Sequence, residues 1–296
     1  MVEHDFRDLP SIIEQDEVNR LGWTAGRSFI AYGLRFGLRM NDPATLSQAC
    51  AAVPLGWHAA PAGEVDVLYS LRVAPPSAQA GMRNDHLLYC GSALIARAPD
   101  LAPLLTMFNK HAELLTAFRA RELLFVHAGV VGWRGSSILI PGRSMTGKTT
   151  LIRALVEAGA TYYSDEFALL DQQGLVHPYP LPLSIRGEHG QPPCPTPVEA
   201  LGGQAGAEPL PVGLVVATSY QPGARWRPRV LSPGQALLAL MDNTVAAQRE
   251  PDYTMPILRA VVLAATIVRS TRGEAGPTAR ALLRRLEMIH DRRGGS

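Results

Sequence analysis

Residues 136–171 read SSILIPGRSMTGKTTLIRALVEAGATYYSDEFALLD. A β-prone run, Ile138, Leu139 and Ile140, leads into Gly142, Gly147, Lys148 and Thr149 at the spacing G-x-x-x-x-G-K-[ST], and a helical pattern follows. This is a phosphate-binding loop in the strand-to-helix setting that the motif needs. Glycines let the backbone curl with its N–H groups turned inward, Lys148 brings a point charge to the β and γ phosphates, and Thr149 offers a hydroxyl to Mg²⁺. The helix behind adds the positive end of its dipole. Lysine is otherwise nearly absent, with only Lys110 and Lys148 against 26 arginines. A chance match therefore has a probability on the order of one in a thousand. The candidate nucleotide loop is Gly142, Arg143, Ser144, Met145, Thr146, Gly147, Lys148, Thr149 and Thr150, with Arg143 at a solvent-facing position.

One helix and one strand later come Ser164, Asp165 and Glu166. Neighbouring side chains on a strand point to opposite faces, but at a strand's end both can approach one metal–phosphate centre. Phosphoryl transfer depends on positioning and charge neutralisation, and what such a loop lacks is a base. Asp165 fits that role, and Glu166 with Thr149 fits Mg²⁺, which takes a few protein oxygens alongside phosphates and water.

Composition sets outer limits. The chain has 296 residues, 47% of them hydrophobic, enough for one large core or two modest ones. A formal net charge of +2 offers no strong field for nucleic acid or an anionic membrane. The acidic opening MVEHDFRDLP does not read as a secretory signal. The longest apolar stretch, Ile257 to Val268, contains Arg259 and is too short to span a bilayer. Cys50, Cys90 and Cys194 are odd in number and lack metal spacing, which suits reduced thiols in a cytoplasm.

Outward from the loop, residues 1–26 read as a lead-in and 27–121 as an N-terminal α+β lobe. Alternation from Phe29 to Met40 predicts one long strand with Ile30, Tyr32, Leu34, Phe36, Leu38 and Met40 on a common face. A short helix over 43–53, a strand from Val65 to Val73, strand material over 86–96 and a helix from Pro99 to about Arg121 complete the lobe. Residues 122–296 read as the nucleotide-binding domain. A hairpin turns around Gly132 to Gly135 into the loop, and a helix ends at Gly159, placed as a left-handed C-cap. A strand spans Thr161 to Leu170, and Asp171-Gln172-Gln173-Gly174 makes a hairpin turn. Residues 187–211, dense in Gly, Pro and Ala, fit either a mobile cover or a linker. After a strand over 213–220, Ser232 and Gln235 form a capping box, and two helices, Pro256 to Arg269 and Pro277 to His290, close the chain.

A hairpin strand bearing His127, the phosphate loop and the acidic pair together resemble the C-terminal catalytic domain of HPr kinase/phosphorylase. The nearer likeness is to the HPr-kinase-related kinases whose genes lie beside peptide-modification functions, including small peptide-binding chaperones. The resemblance covers about Leu123 to Arg186. It implies an α/β fold, a phosphate-loop HPr-kinase-like core with an N-terminal α+β lobe and a helical C-terminus. It also implies an ATP- and Mg-dependent kinase acting on a serine-type hydroxyl of a peptide or small protein in the cytoplasm, with a peptide-binding chaperone as a candidate partner. On this likeness Asp165 is the base, Glu166 helps hold Mg²⁺, His127 lies beside the phosphates, and Ile185-Arg186-Gly187 matches the family's I-R-G stretch. For His127 a core histidine donating to a backbone carbonyl is nearly as good a fit, and for Arg186 a surface ion pair competes equally with a phosphate clamp. Two departures stand out: Met145 replaces a glycine of S-G-x-G-K-S, and Ser184 stands where a metal-binding glutamate is usual. A nucleotide-gated binding module without phosphotransfer is the alternative reading.

Overall fold

A computed structural model describes residues 15–75, 85–142, 146–185 and 194–294. Most of the expected lead-in, the loop at 76–84, Arg143, Ser144 and Met145, and Arg186 with the first part of the 187–211 segment lie outside the described residues. The chain is mixed α/β and divides into two compact units, Met1–Arg121 and Glu122–Ser296.

The first unit contains α1 (Gln15–Asn19), β1 (Ala25–Ala31), β2 (Leu34–Met40), a 3-10 turn (Pro43–Thr45) running into α2 (Leu46–Ala51), β3 (His58–Ala60), β4 (Val67–Arg72), β5 (His86–Cys90), β6 (Ala93–Ala98) and α3 (Leu101–Arg119). Its six-stranded sheet has the order β3-β1-β2-β4-β5-β6, with only the β2–β4 pair parallel. The single strand expected over 29–40 is instead a hairpin. Tyr32 and Gly33 take φ of 49° and 80°, the left-handed pair of a tight two-residue turn whose twist suits the strands it joins. Ala31 and Leu34 then pair across the ladder and face the same side. The core set is therefore Phe29 and Ala31 followed by Leu34, Phe36, Leu38 and Met40, while Ile30 is left 41% exposed. Trp57 organises this core. It stacks on Phe36 at 4.0 Å, meets the edge of Phe108 from α3, and donates its indole N–H to Thr116 Oγ1 at 3.1 Å.

The second unit begins with β7 (Leu124–Trp133) and β8 (Ser136–Pro141), then α4 (Lys148–Glu157), β9 (Thr161–Ser164), β10 (Phe167–Leu170) and β11 (Leu175–His177). Next come the small pair β12 (Leu183–Ile185) and β13 (Cys194–Thr196), β14 (Leu210–Tyr220), β15 (Arg229–Val230), α5 (Pro233–Met241), α6 (Pro251–Ala264), β16 (Thr266–Arg272) and α7 (Ala275–Gly294). The main sheet runs β11-β10-β7-β8-β14-β16-β15, with β9 also on β7. Strands β8, β14 and β16 are mutually parallel in the middle. All six residues of β8 are buried, as a parallel strand covered on both faces requires. Ile138, Ile140, Leu214, Val216 and Val268 face Leu151, Ile152 and Leu155 of α4 and Leu282 and Leu286 of α7. Leu139, Val215 and Ile267 face Leu240 of α5 and Leu258 and Val261 of α6.

Two expectations change here. The helix expected over 256–269 starts earlier, at Pro251, carries Pro256 inside it and stops at Ala264. Residues 266–272 are strand β16, because the β-branched run Thr266-Ile267-Val268 completes the parallel layer beside β14. The expected helical C-terminus is therefore interrupted by a central strand. The strand expected over 161–170 is two, β9 and β10, both on β7 and broken at Asp165-Glu166. The described part of the segment expected as a cover or linker, 194–211, is packed: β13 pairs with β12, Val198 is buried, and Tyr162 exchanges backbone hydrogen bonds with Gln204 and Gly206.

Helix α4 lies directly on β7 at Gly129. A Cβ there would come 2.6 Å from Ile152 Cγ1 and 3.2 Å from Lys148 Cγ. Gly129→Ala should therefore push the first turns of α4 away and cost about 1–3 kcal/mol, as overpacking does. Urea unfolding of the two proteins measures this, and an unchanged midpoint would show that α4 is not held by this contact.

Candidate functional site

The turn between β8 and α4 is fastened at both ends. Gly142 is buried, donates its N–H to the His127 carbonyl at 3.1 Å and accepts from Lys148 Nζ at 2.9 Å. A Cβ on Gly142 would meet Thr146 Oγ1 at 2.9 Å. Gly147 enters the helix with φ of 78°, the left-handed region that favours glycine. Lys148 is the first residue of α4, Thr149 follows half-buried, and Thr150 is exposed.

The break between β9 and β10 delivers the acidic pair to this turn. Ser164 Oγ accepts from the N–H groups of Glu166 and Phe167, and Ala128 N–H donates to the Glu166 carbonyl at 3.2 Å, which holds the kink against β7. Asp165 turns inward and is buried, with Oδ1 lacking a hydrogen-bond partner among the described residues, while Glu166 is exposed. Burial raises the Asp165 carboxyl to about 6, against a hydrogen bond from Thr149 and the charge of Lys148, which lower it; Glu166 adds a smaller upward push. Burial in turn lowers the Lys148 ammonium, opposed by Asp165 and Glu166. The structure thus brings Lys148, Thr149, Asp165 and Glu166 into one electrostatic cluster. Among the described residues no group of three or more His, Cys, Asp or Glu could hold a metal ion. Two carboxylates, one of them with an orphaned buried oxygen, and a hydroxyl fit an ion that keeps water and phosphate as its other ligands, as Mg²⁺ does.

His127 belongs to the frame of the site. Its N–H donates to the Asn243 carbonyl at 2.7 Å, its carbonyl holds Gly142, and its ring lies on Phe167 at 4.5 Å. Arg143, Ser144, Met145 and Arg186 lie outside the described residues, and Ser184, in β12, is exposed. Two residues absent from the sequence reading join the site. Gly129 admits α4, and Arg272, 2% exposed at the end of β16, donates Nη2 to the Gly147 carbonyl at 2.6 Å and Nη1 to Gly273 at 3.1 Å. The β-branched run Thr266-Ile267-Val268 is the local signal for this strand, and the helix expected to Arg269 stops short of Arg272. Two surface grooves, about 420 Å³ along α4 and α7 and about 470 Å³ on the first unit's sheet, contain none of the candidate residues.

No family model and no curated protein matches the chain. Among the described residues no helix is long and apolar enough to cross a membrane.

The raised Asp165 carboxyl makes a stability prediction. The unfolded chain ionises it near 3.8 and the folded chain only at about 6. Stability therefore falls as pH rises through that window, and the deficit is complete above it. Asp165→Asn should unfold at a higher temperature than wild type at neutral pH, by on the order of 2–3 kcal/mol of stability, and lose the advantage at about pH 4. Thermal melts across pH measure this, and an equal or lower midpoint at neutral pH would mean that the ionised carboxylate is not held at a cost.

Proposed function

We propose that the second unit is an ATP- and Mg-dependent kinase that transfers the γ-phosphoryl group to a serine-type hydroxyl on a peptide or small protein. The observation that carries this reading is buried Asp165 within electrostatic reach of Thr149 and Lys148. A buried carboxyl poised near neutral pH sits beside the two side chains of the motif that reach phosphate and metal. The peptide acceptor, with a peptide-binding chaperone as candidate partner, follows from the likeness of the motif set to HPr-kinase-related kinases.

In this reading Lys148 leaves the Gly142 carbonyl for the phosphate oxygens, and the N–H groups at the start of α4 face the same charge. Thr149 and Glu166 would hold Mg²⁺, which would neutralise charge on the phosphates. Asp165 accepts the proton of the incoming hydroxyl as the hydroxyl oxygen attacks the γ-phosphorus and the bond from that phosphorus to the bridging oxygen of the β-phosphate breaks, releasing ADP. Gly129 keeps Lys148 close enough to β7 for these groups to meet. Base catalysis needs the ionised carboxylate, so the transfer rate falls as pH drops through about 6.

The test is nucleotide binding and transfer of labelled phosphate to serine-bearing peptides encoded near the gene. Asp165→Asn should still bind Mg·ATP but lose about 10²-fold or more in transfer rate, and Lys148→Ala should lose binding. Transfer undiminished in Asp165→Asn would reject the base assignment. Mg·ATP binding by wild type with no transfer to any hydroxyl would favour a nucleotide-gated binding module instead.

A further inference from the structure

Strand order places two different sets of side chains on the two flanks of the Gly142–Thr149 turn. Going one way from β8, strand β7 carries β9 and β10 with Asp165 and Glu166. Going the other way, β14 and β16 run parallel to β8, so their carboxyl ends emerge at the same edge as the turn. In parallel sheets ligands collect outside those ends. The last residues of the two strands, Tyr220 and Arg272, are partners across the ladder.

Tyr220 is an aromatic side chain presented rather than buried. It is 46% exposed, yet its position is determined from three sides. The Arg272 guanidinium lies over the ring, 5.5 Å from its centroid, and the hydroxyl donates to Glu274 Oε1 at 3.2 Å. The Tyr220 Cβ lies 3.4 Å from where a Gly147 Cβ would stand. Arg272 is itself locked by the Gly147 and Gly273 carbonyls, with its Nε lacking a partner among the described residues. An arginine buried to 2% exposure beneath an open tyrosine ring makes a fixed, electron-withdrawing backing for that ring.

Resting on the kinase reading, we infer that Tyr220, backed by Arg272 and oriented by Glu274, is the platform on which the nucleobase stacks. A nucleoside triphosphate whose terminal phosphate faces Asp165 on the β7 flank extends its base toward the β14–β16 flank, where Tyr220 stands. Stacking on an aromatic ring tolerates any base, because every base has a π-face. The platform therefore supplies affinity for a nucleotide over bare polyphosphate, with little choice among bases.

The experiment compares Mg·ATP with Mg·tripolyphosphate, which has the phosphates but no base, on wild type, Tyr220→Ala, Tyr220→Phe, Tyr220→Trp and Lys148→Ala, after thermal melts show each variant folded. Tyr220→Ala should lose about tenfold or more in ATP affinity, the loss typical of removing one stacking ring, and keep its tripolyphosphate affinity within about twofold. Tyr220→Phe keeps the ring and should retain most ATP affinity, and the fluorescence of Tyr220→Trp should be quenched by ATP but not by tripolyphosphate. Equal ATP affinity in Tyr220→Ala and wild type would overturn the inference, as would a parallel loss of both ligands, which would mark Tyr220 as a support of the turn. Lys148→Ala should lose both ligands. Wild type binding neither would overturn the kinase reading and this inference with it, whereas wild type binding both with Tyr220→Ala unaltered would remove the platform alone.

Discussion

The first turn of α4 rests on the backbone of β7, and the rest of the site depends on that close approach. Gly129 leaves no side chain between strand and helix, so Lys148 and Ile152 lie against the sheet. Because β7 also carries β9 and β10, the same contact brings Lys148 and Thr149 beside the kink that holds Asp165. A larger residue at 129 would lift the helix and separate the cation from the carboxylates. Close packing here decides electrostatics.

The charges that result are held against their solvation. Burial moves Asp165, Lys148 and Arg272 each toward its neutral form. Buried charges of this kind are stabilised when paired and hydrogen-bonded. Lys148 and Arg272 take up backbone carbonyls of the turn itself, Gly142 and Gly147. On the proposed function a phosphate chain with its divalent ion supplies the missing partners, and the protein bears the expense of an under-satisfied site in exchange for that selectivity. Functional sites commonly concentrate such shifted groups.

The first unit makes the same point about local and distant information. Alternation from Phe29 to Met40 is a true β signal, yet the chain reverses at Tyr32-Gly33 and the buried set changes parity there. Across a two-residue turn residues i and i+3 pair and share a face, so the buried set shifts by one there, and the apolar Ile30 and Tyr32 hide that shift in the sequence. Only the pairing of Ala31 with Leu34 shows which side meets Trp57 and Phe108.

What the sequence determined by itself is whatever a few adjacent residues can settle. The apolar run of β8 leading to Gly142, Gly147, Lys148 and Thr149 was legible, as were the left-handed stop at Gly159, the Ser232–Gln235 capping box and the Asp171 turn. Each rests on a dihedral preference or a hydrogen bond within about four residues. The break that turns Asp165 inward, the strand at 266–272 and the partnership of Arg272 with Gly147 and Tyr220 were decided by tertiary structure. Whether an apolar, β-branched segment becomes helix or strand depends on which edge is open to receive it. Arg272 reaches the turn from 125 positions along the chain, a separation that no local pattern encodes, and only the parallel pairing of β14 with β16 brings it there.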